Sequence, residues 1–299
     1  MPRYAPMTRH TARQLAPCLL AAMAALATAS QAACVDDAQI AQWVQAYSAK
    51  SPAPNAVDLT EADGKCTRNK LTAAFEASGK KPIGYKAGLT NAAVQKRFNT
   101  DKPVWGKLYE GALLPNRSTV PAAFGARPLF EADMLVRVSS SAINRATSPL
   151  EVLNNIDRIV PFIELPDLMV ENPATLNGAG VEAINVGARM GVMGDAIRVP
   201  ALRDERYALL NALQSMEITI SDQSGNRLGG GRGGDLLGQP MNAVVWLVEA
   251  LKAENLQLKV GDWVSLGSFS ALIPPKAGQQ ITVDYKRLPG AQPVQVTFE

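Results

Sequence analysis

Beyond residue 80 the chain is cut into short apolar runs separated by turns, with helical spacing only here and there, and this texture limits the fold more than any other feature. Runs at residues 82–89, 104–109, 129–139, 160–165, 180–187, 216–221, 263–267, 280–286 and 294–298 have the length and texture of strands. Helical spacing marks residues 90–98, 148–156 and 240–254, the last with Pro240 in its first turn. A doubly wound parallel sheet needs a helix between successive strands, and that alternation is missing. The pattern predicts an α+β domain on a predominantly antiparallel or mixed sheet. Ahead of it, residues 36–50 put Ile40, Trp43, Val44 and Tyr47 on one helical face, with Asp36 or Asp37 as N-cap, and a second helix spans residues 65–78 before Gly79. Ser51-Pro52-Ala53-Pro54 resembles a linker but lies too near the start to divide domains.

The first 32 residues have the layout of a secretory signal. Arg3, Arg9 and Arg13 precede an apolar run at residues 15–29, and Ser30 and Ala32 place small residues at the −3 and −1 positions of a cleavage site. The run is shorter than the roughly 20 residues needed to span a bilayer and holds Pro17, so the expected location is periplasmic or secreted, with no membrane span. Ala32-Ala33-Cys34 leaves lipid attachment at Cys34 as the alternative. Three of the 30 Lys+Arg and none of the 27 Asp+Glu lie in this segment, so the mature chain is electrically balanced. The basic excess that nucleic-acid binding needs is absent. Cys18 leaves with the signal, and the remaining Cys34 and Cys66 in an exported chain read as a disulfide, with two unpaired thiols as the alternative.

The one histidine, His10, leaves too. Without imidazole the mature chain builds no Ser-His-Asp triad, Cys-His pair or histidine zinc site. Carboxylates, Lys, Tyr, hydroxyls and a hard metal held by oxygen remain.

The strongest local signal is Phe130-Glu131-Ala132-Asp133-Met134-Leu135-Val136. On a strand, Glu131 and Asp133 share one face while Phe130, Ala132, Met134 and Val136 take the other. Two acids side by side in an apolar strand call for a positive partner, and Glu164, interrupting the apolar run from Ile159, is the candidate third ligand of a divalent cation. The alternative is a solvated sheet face, with Glu164 paired to an Arg. Lys86, in Gly84-Tyr85-Lys86-Ala87-Gly88-Leu89-Thr90, is either a substrate clamp or proton donor, or an ordinary exposed lysine. The run Gly229-Gly230-Gly231-Arg232-Gly233-Gly234 lacks the Lys-Ser/Thr ending of a phosphate loop and reads as a flexible connection. Gly267-Ser268-Phe269-Ser270-Ala271 ends a strand and either presents hydroxyls to a ligand or simply exits into a turn.

In order, Gly84 to Thr90, Glu131-Ala132-Asp133, Glu164-Leu165-Pro166-Asp167, Gly238-Gln239-Pro240-Met241-Asn242-Ala243 and Gly267-Ser268-Phe269-Ser270 resemble the 2-keto-4-pentenoate hydratase and 4-oxalocrotonate decarboxylase group of the fumarylacetoacetate hydrolase superfamily. The resemblance covers roughly residues 80–299. It implies a mixed β-roll with flanking helices over residues 81–299, behind a helical segment at 33–80. It also implies a homo-oligomer and a Mg2+ or Mn2+ site held by Glu131, Asp133 and Glu164, with Asp133 standing where the family more often has Glu. Lys86 and Asp167 would be the catalytic residues, and Ser268 and Ser270 the substrate contacts. The implied activity is that of a hydratase-like lyase on small 2-keto or 2-hydroxydienoic acids. The alternatives are a decarboxylase or C–C hydrolase of acylpyruvate or oxaloacetate type, or a noncatalytic periplasmic protein that keeps the pocket.

Overall fold

The computed structural model describes residues 1–5 and 34–299; the rest of the expected signal, with His10, Cys18 and the cleavage site, lies outside the described residues. Helices α1 (Asp37–Ala49) and α2 (Glu61–Ala77) come first. Asp36 Oδ1 accepts the Gln39 N–H at 2.8 Å and so starts α1. At α2 the Thr60 hydroxyl accepts the Asp63 N–H at 3.3 Å while the Asp63 carboxylate accepts the Thr60 N–H at 2.9 Å. This reciprocal cap begins the helix a turn earlier than the apolar spacing predicts. There follow β1 (Pro82–Gly88), α3 (Ala92–Arg97), β2 (Val104–Tyr109), β3 (Leu113–Leu114), β4 (Ser118–Val120), β5 (Glu131–Val138), α4 (Pro149–Leu153), β6 (Ile156–Leu165) and α5 (Gly178–Ala183). The last third holds β7 (Met190–Met193), β8 (Ile197–Arg198), α6 (Arg203–Ser215), β9 (Glu217–Asp222), β10 (Arg227–Arg232), α7 (Asn242–Ala253), β11 (Trp263–Ser265), β12 (Gln280–Lys286) and β13 (Val294–Phe298).

One sheet runs β2-β1-β11-β5-β6-β7-β3, with β8 also on β6; the other runs β10-β9-β12-β13-β4. Pairings β1–β11, β3–β7 and β4–β13 are parallel and the others antiparallel, so the sheets are mixed and the α+β expectation holds. Phe130, just before β5, and Ala132, Met134 and Val136 of β5 join Ile218, Ile220, Ile281, Val283, Val296 and Phe298 of the other sheet in one buried core. The apolar face of β5 is thus turned to the second sheet, which leaves Glu131 and Asp133 on the opposite face. α7 closes the core with Val244, Leu247, Val248 and Leu251 at helical spacing. A second core forms where Trp43, Leu71 and Phe75 of α1 and α2 meet Leu168, Val181, Ile184 and Val186. At about 1.5–3 kcal/mol for each large apolar side chain buried, this contact fixes the segment between β6 and β7 against the N-terminal helices.

Three expectations are corrected. Residues 180–187 are not a strand: Asn177 Oδ1 accepts the Gly180 N–H at 2.8 Å and nucleates α5, which breaks into a turn at Asn185–Gly187. A short apolar run reads equally as buried strand or helix, and the cap decides. Residues 229–234 are not a flexible connection, because most of them form β10, paired antiparallel with β9. Glycine is needed there, since a Cβ on Gly231 would lie 2.0 Å from the Phe269 carbonyl oxygen. The helix expected at 148–156 stops at Leu153 because β6 begins at Ile156. Helix α6 gave little signal, burying only Leu209 and Leu213.

A disulfide joins Cys34 to Cys66, with Cα atoms 5.5 Å apart, and ties the residue before α1 to α2. Among the described residues no helix is long and apolar enough to cross a membrane.

Candidate active site

The β5–β6 ladder sets Glu131 directly across from Glu164. Asp133, two residues on, shares their face. Strand β1 lies two strands away from β5 in the sheet, yet the Lys86 ammonium donates to Glu164 Oε1. The sheet therefore curls until β1 and β6 face each other across its concave side. Lys86 is no exposed lysine: it is 2% exposed, and Asp133 is 0% exposed. Its second partner is the Val186 carbonyl, at 3.0 Å.

Asp133 is held tightly. Its Oδ1 accepts the Gly267 N–H at 2.9 Å, its Oδ2 accepts from the Ser265 hydroxyl, and the Tyr285 hydroxyl donates to its backbone carbonyl. Glu164 Oε2 is buried and meets no donor among the described residues. Burial first, and then the Glu164 charge, pushes the Glu131 and Asp133 carboxyls well above the usual carboxylate range. For Lys86, burial opposes its charge, but Glu164 and Glu131 outweigh it and raise its pKa.

Charge counting says what this cluster asks for. Three carboxylates against one ammonium leave a residual −2 when all are ionised, which protons on the acids or one divalent cation would neutralise. The donors are hard oxygens, suited to Mg2+, Mn2+ or Ca2+, and Glu164 Oε2 is unspent. The donor set fits such an ion in chemistry and charge. The donors are gathered rather than arrayed, however: among the described residues no three His, Cys, Asp or Glu side chains stand ready to hold an ion, and Lys86 takes one Glu164 oxygen.

Lys86, Glu131, Val186, Ser268 and Leu272 line a cavity of about 30 Å3, room for about one water. Val94, Arg97, Asp235, Ser270 and Leu272 line an outer vestibule of about 370 Å3. Val94 and Leu272 belong to both and form the wall between them. Of the expected site residues, Lys86, Glu131 and Ser268 line the inner cavity, whereas Asp133, Glu164, Asp167 and Ser270 do not. The Asp167 carboxylate accepts the N–H groups of Ala126 (3.1 Å) and Arg127 (2.7 Å) and pairs with Arg189 (3.0 Å). It anchors the loop before β5 and does not line the inner cavity. The Ser270 hydroxyl accepts the Ala132 N–H at 3.1 Å, bracing β5 between its two acids, and its residue lines the vestibule. Ser268 does line the inner cavity, although its hydroxyl is shared with the Ser270 backbone.

Ser265, Tyr285 and the Asn185–Gly187 turn were not identified from the sequence. A polar residue on the buried face of a strand was the signal at Ser265; Tyr285 and the turn gave none.

No family model matches the chain. Over 218 residues it is 25% identical to 2-keto-4-pentenoate hydratase 2 of Dechloromonas aromatica, spanning 73% of this chain and 79% of that one. Over 231 residues it is 23% identical to a 4-oxalocrotonate decarboxylase of Pseudomonas putida, spanning 77% of this chain and 84% of that one. The chain is a homologue of these hydratases and decarboxylases. Among solved structures, the 4-oxalocrotonate decarboxylase from Pseudomonas putida G7 in complex with magnesium and adipate matches with a TM-score of 0.74 at 20% identity, over 90% of this chain and all of that one. A fumarylacetoacetate hydrolase family protein from yeast matches with a TM-score of 0.50 at 14% identity, over 75% of this chain and 94% of that one. The fold is that of these two solved structures, the second of which is a fumarylacetoacetate hydrolase family protein.

Proposed function

We propose that this chain is an exported lyase that depends on a divalent cation and acts, hydratase-like, on small 2-keto or 2-hydroxydienoic acids. The observation that carries this reading is the buried cluster of Glu131, Asp133 and Glu164 with Lys86, whose residual charge of −2 when ionised one divalent cation would balance. Its homologues are hydratases and decarboxylases, and the structure of one holds magnesium. Glu131, Asp133 and Glu164 would hold Mg2+ or Mn2+. Bound there, the cation would supply Lewis acidity, lowering the cost of negative charge on the 2-oxygen of a 2-oxo acid.

The chain's own residues do the rest. Lys86 has three N–H donors, of which Glu164 and Val186 take two. The third is left to bind a substrate oxygen and pass it a proton. Ser265 and Gly267 hold the Asp133 carboxylate against rotation, and Ser268 presents a hydroxyl at the cavity wall. Val94 and Leu272 must part to admit a substrate and, once closed, exclude water.

The test is to assay purified residues 33–299 with Mg2+ or Mn2+ on 2-hydroxypenta-2,4-dienoate and 4-oxalocrotonate, following loss of the diene and release of carbon dioxide. Hydration without carbon dioxide supports the proposed reading, whereas carbon dioxide release assigns decarboxylation, which draws on the same charge stabilisation. Binding of a 2-oxo acid without turnover of any would leave a noncatalytic pocket and sink the enzyme reading. Export is tested by N-terminal sequencing of the protein recovered from the periplasm of a Gram-negative host; a chain starting at Ala33 is expected.

A further inference from the structure

We propose that Asn185 is a positioning residue for Lys86, acting through the carbonyl of Val186; its link to catalysis rests on the function proposed above. Asn185, Val186 and Gly187 all lie in the left-handed region, with φ of 55°, 55° and 63°. Asn and Gly tolerate this, but a β-branched valine there is an outlier that persists only where its surroundings hold it.

The hold is visible. Asn185 Oδ1 accepts the Lys107 N–H at 2.7 Å and its Nδ2 donates to the Lys107 carbonyl at 3.1 Å, so the side-chain amide forms an extra rung on the edge of β2. Gly106 gives the backbone room to come this close, because a Cβ there would lie 2.6 Å from the Asn185 carbonyl oxygen. Gly88 does the same for the valine, since its Cβ would sit 2.3 Å from Val186 Cγ1.

The placement gives the turn its purpose. In the β1–β2 ladder Lys107 pairs with Tyr85 and Gly106 with Lys86. Asn185 therefore fastens the turn to the rung beside Lys86, and the ladder, rather than α5, sets the distance from turn to lysine. The product of the strained conformation is a carbonyl aimed at the Lys86 ammonium. Relaxing Val186 to an ordinary φ would rotate the following peptide unit and withdraw that carbonyl, leaving Lys86 tethered only to Glu164. With both anchors in place the ammonium is fixed at two of its donors and its third is directed.

The experiment pairs crystallography with kinetics. Asn185→Gly keeps a backbone at ease with positive φ and removes only the clamp; Asn185→Asp, which keeps the acceptor for the Lys107 N–H and loses the donor, is read in the same way if the glycine variant does not fold. Crystals of the wild type should keep the Lys86 to Val186 contact, and those of Asn185→Gly should show it opened beyond about 3.5 Å. On the 2-oxo acid that the wild type turns over, kcat should fall at least about 10-fold while KM changes less than about 3-fold. The double variant Lys86→Ala/Asn185→Gly should be no slower than Lys86→Ala alone. An unmoved Lys86 contact in the variant crystals, or losses that multiply in the double variant, would overturn the proposal. If the wild type turns over no 2-oxo acid, the functional reading fails by itself, and the crystals still decide whether Asn185 sets the position of Lys86.

Discussion

At the residue scale the cluster carries a charge imbalance that Lys86 offsets only in part. Glu131 and Asp133 both have folded-state pKa values well above their ordinary ones, chiefly because they are buried. Such acids favour the fold when protonated, so their contribution is fully present below about pH 4 and is lost as pH rises through the raised values. The metal-free protein should therefore lose melting temperature between pH 5 and pH 8, and saturating Mg2+ should restore more of it at pH 8 than at pH 5. A Mg2+ shift of the same size at both values would count against a cation at these carboxylates. Glu131→Gln removes one buried charge at no change in shape. It is expected to melt a few degrees higher than wild type without metal at pH 8, to lose most of the Mg2+ shift, and to lose at least about 100-fold in kcat, as measured by thermal melts and steady-state assays.

Among elements, the ladder between β5 and β6 does most to build the site. Alternation along β5 says which side chains share a face, and residues 130–136 show it in the sequence. Which strand lies opposite is a matter of register, and only the paired strands bring Glu164 to Glu131. The close approach of β1 to the turn at residue 186 gives a prediction of its own. Gly88→Ala would put a methyl 2.3 Å from Val186 Cγ1. It should cost about 1–3 kcal/mol, read in urea unfolding as a lower midpoint at unchanged slope, because neither the buried strand nor the clamped turn has room to yield. The glycine-rich β10 belongs here as well. Its composition suggests flexibility, whereas its backbone lies flat against the loop that carries Ser268 and Ser270.

Across the whole molecule, a buried arginine fastens the N-terminal helices to the sheet. Arg68 of α2 is fully buried, hydrogen-bonds Glu182 and Glu254, and stacks 3.5 Å over the Trp105 ring, linking α2 to α5, to the residue that ends α7 and to β2. Burial, opposed by Arg68, raises Glu182 to about 7. The Cys34–Cys66 disulfide ties the residue before α1 to α2 within the N-terminal segment, and Cys34→Ser/Cys66→Ser should lower stability by about 4 kcal/mol in the chain-entropy model, seen as an earlier urea midpoint that reductant no longer moves. An unchanged midpoint would show that the bridge does not constrain the unfolded chain. The sequence by itself determined the α+β class, the paired acids on one face of a buried strand, the cysteine pair and a stretch from residue 33 onward that holds no histidine, because composition and two-residue alternation are local properties. The tertiary structure alone decided that Lys86 and Glu164 meet across a curled sheet, that Asp167 and Ser270 serve as braces, and that a left-handed turn aims its carbonyl at the lysine. Those outcomes depend on long-range register and on how closely two backbones approach, which local patterning does not encode.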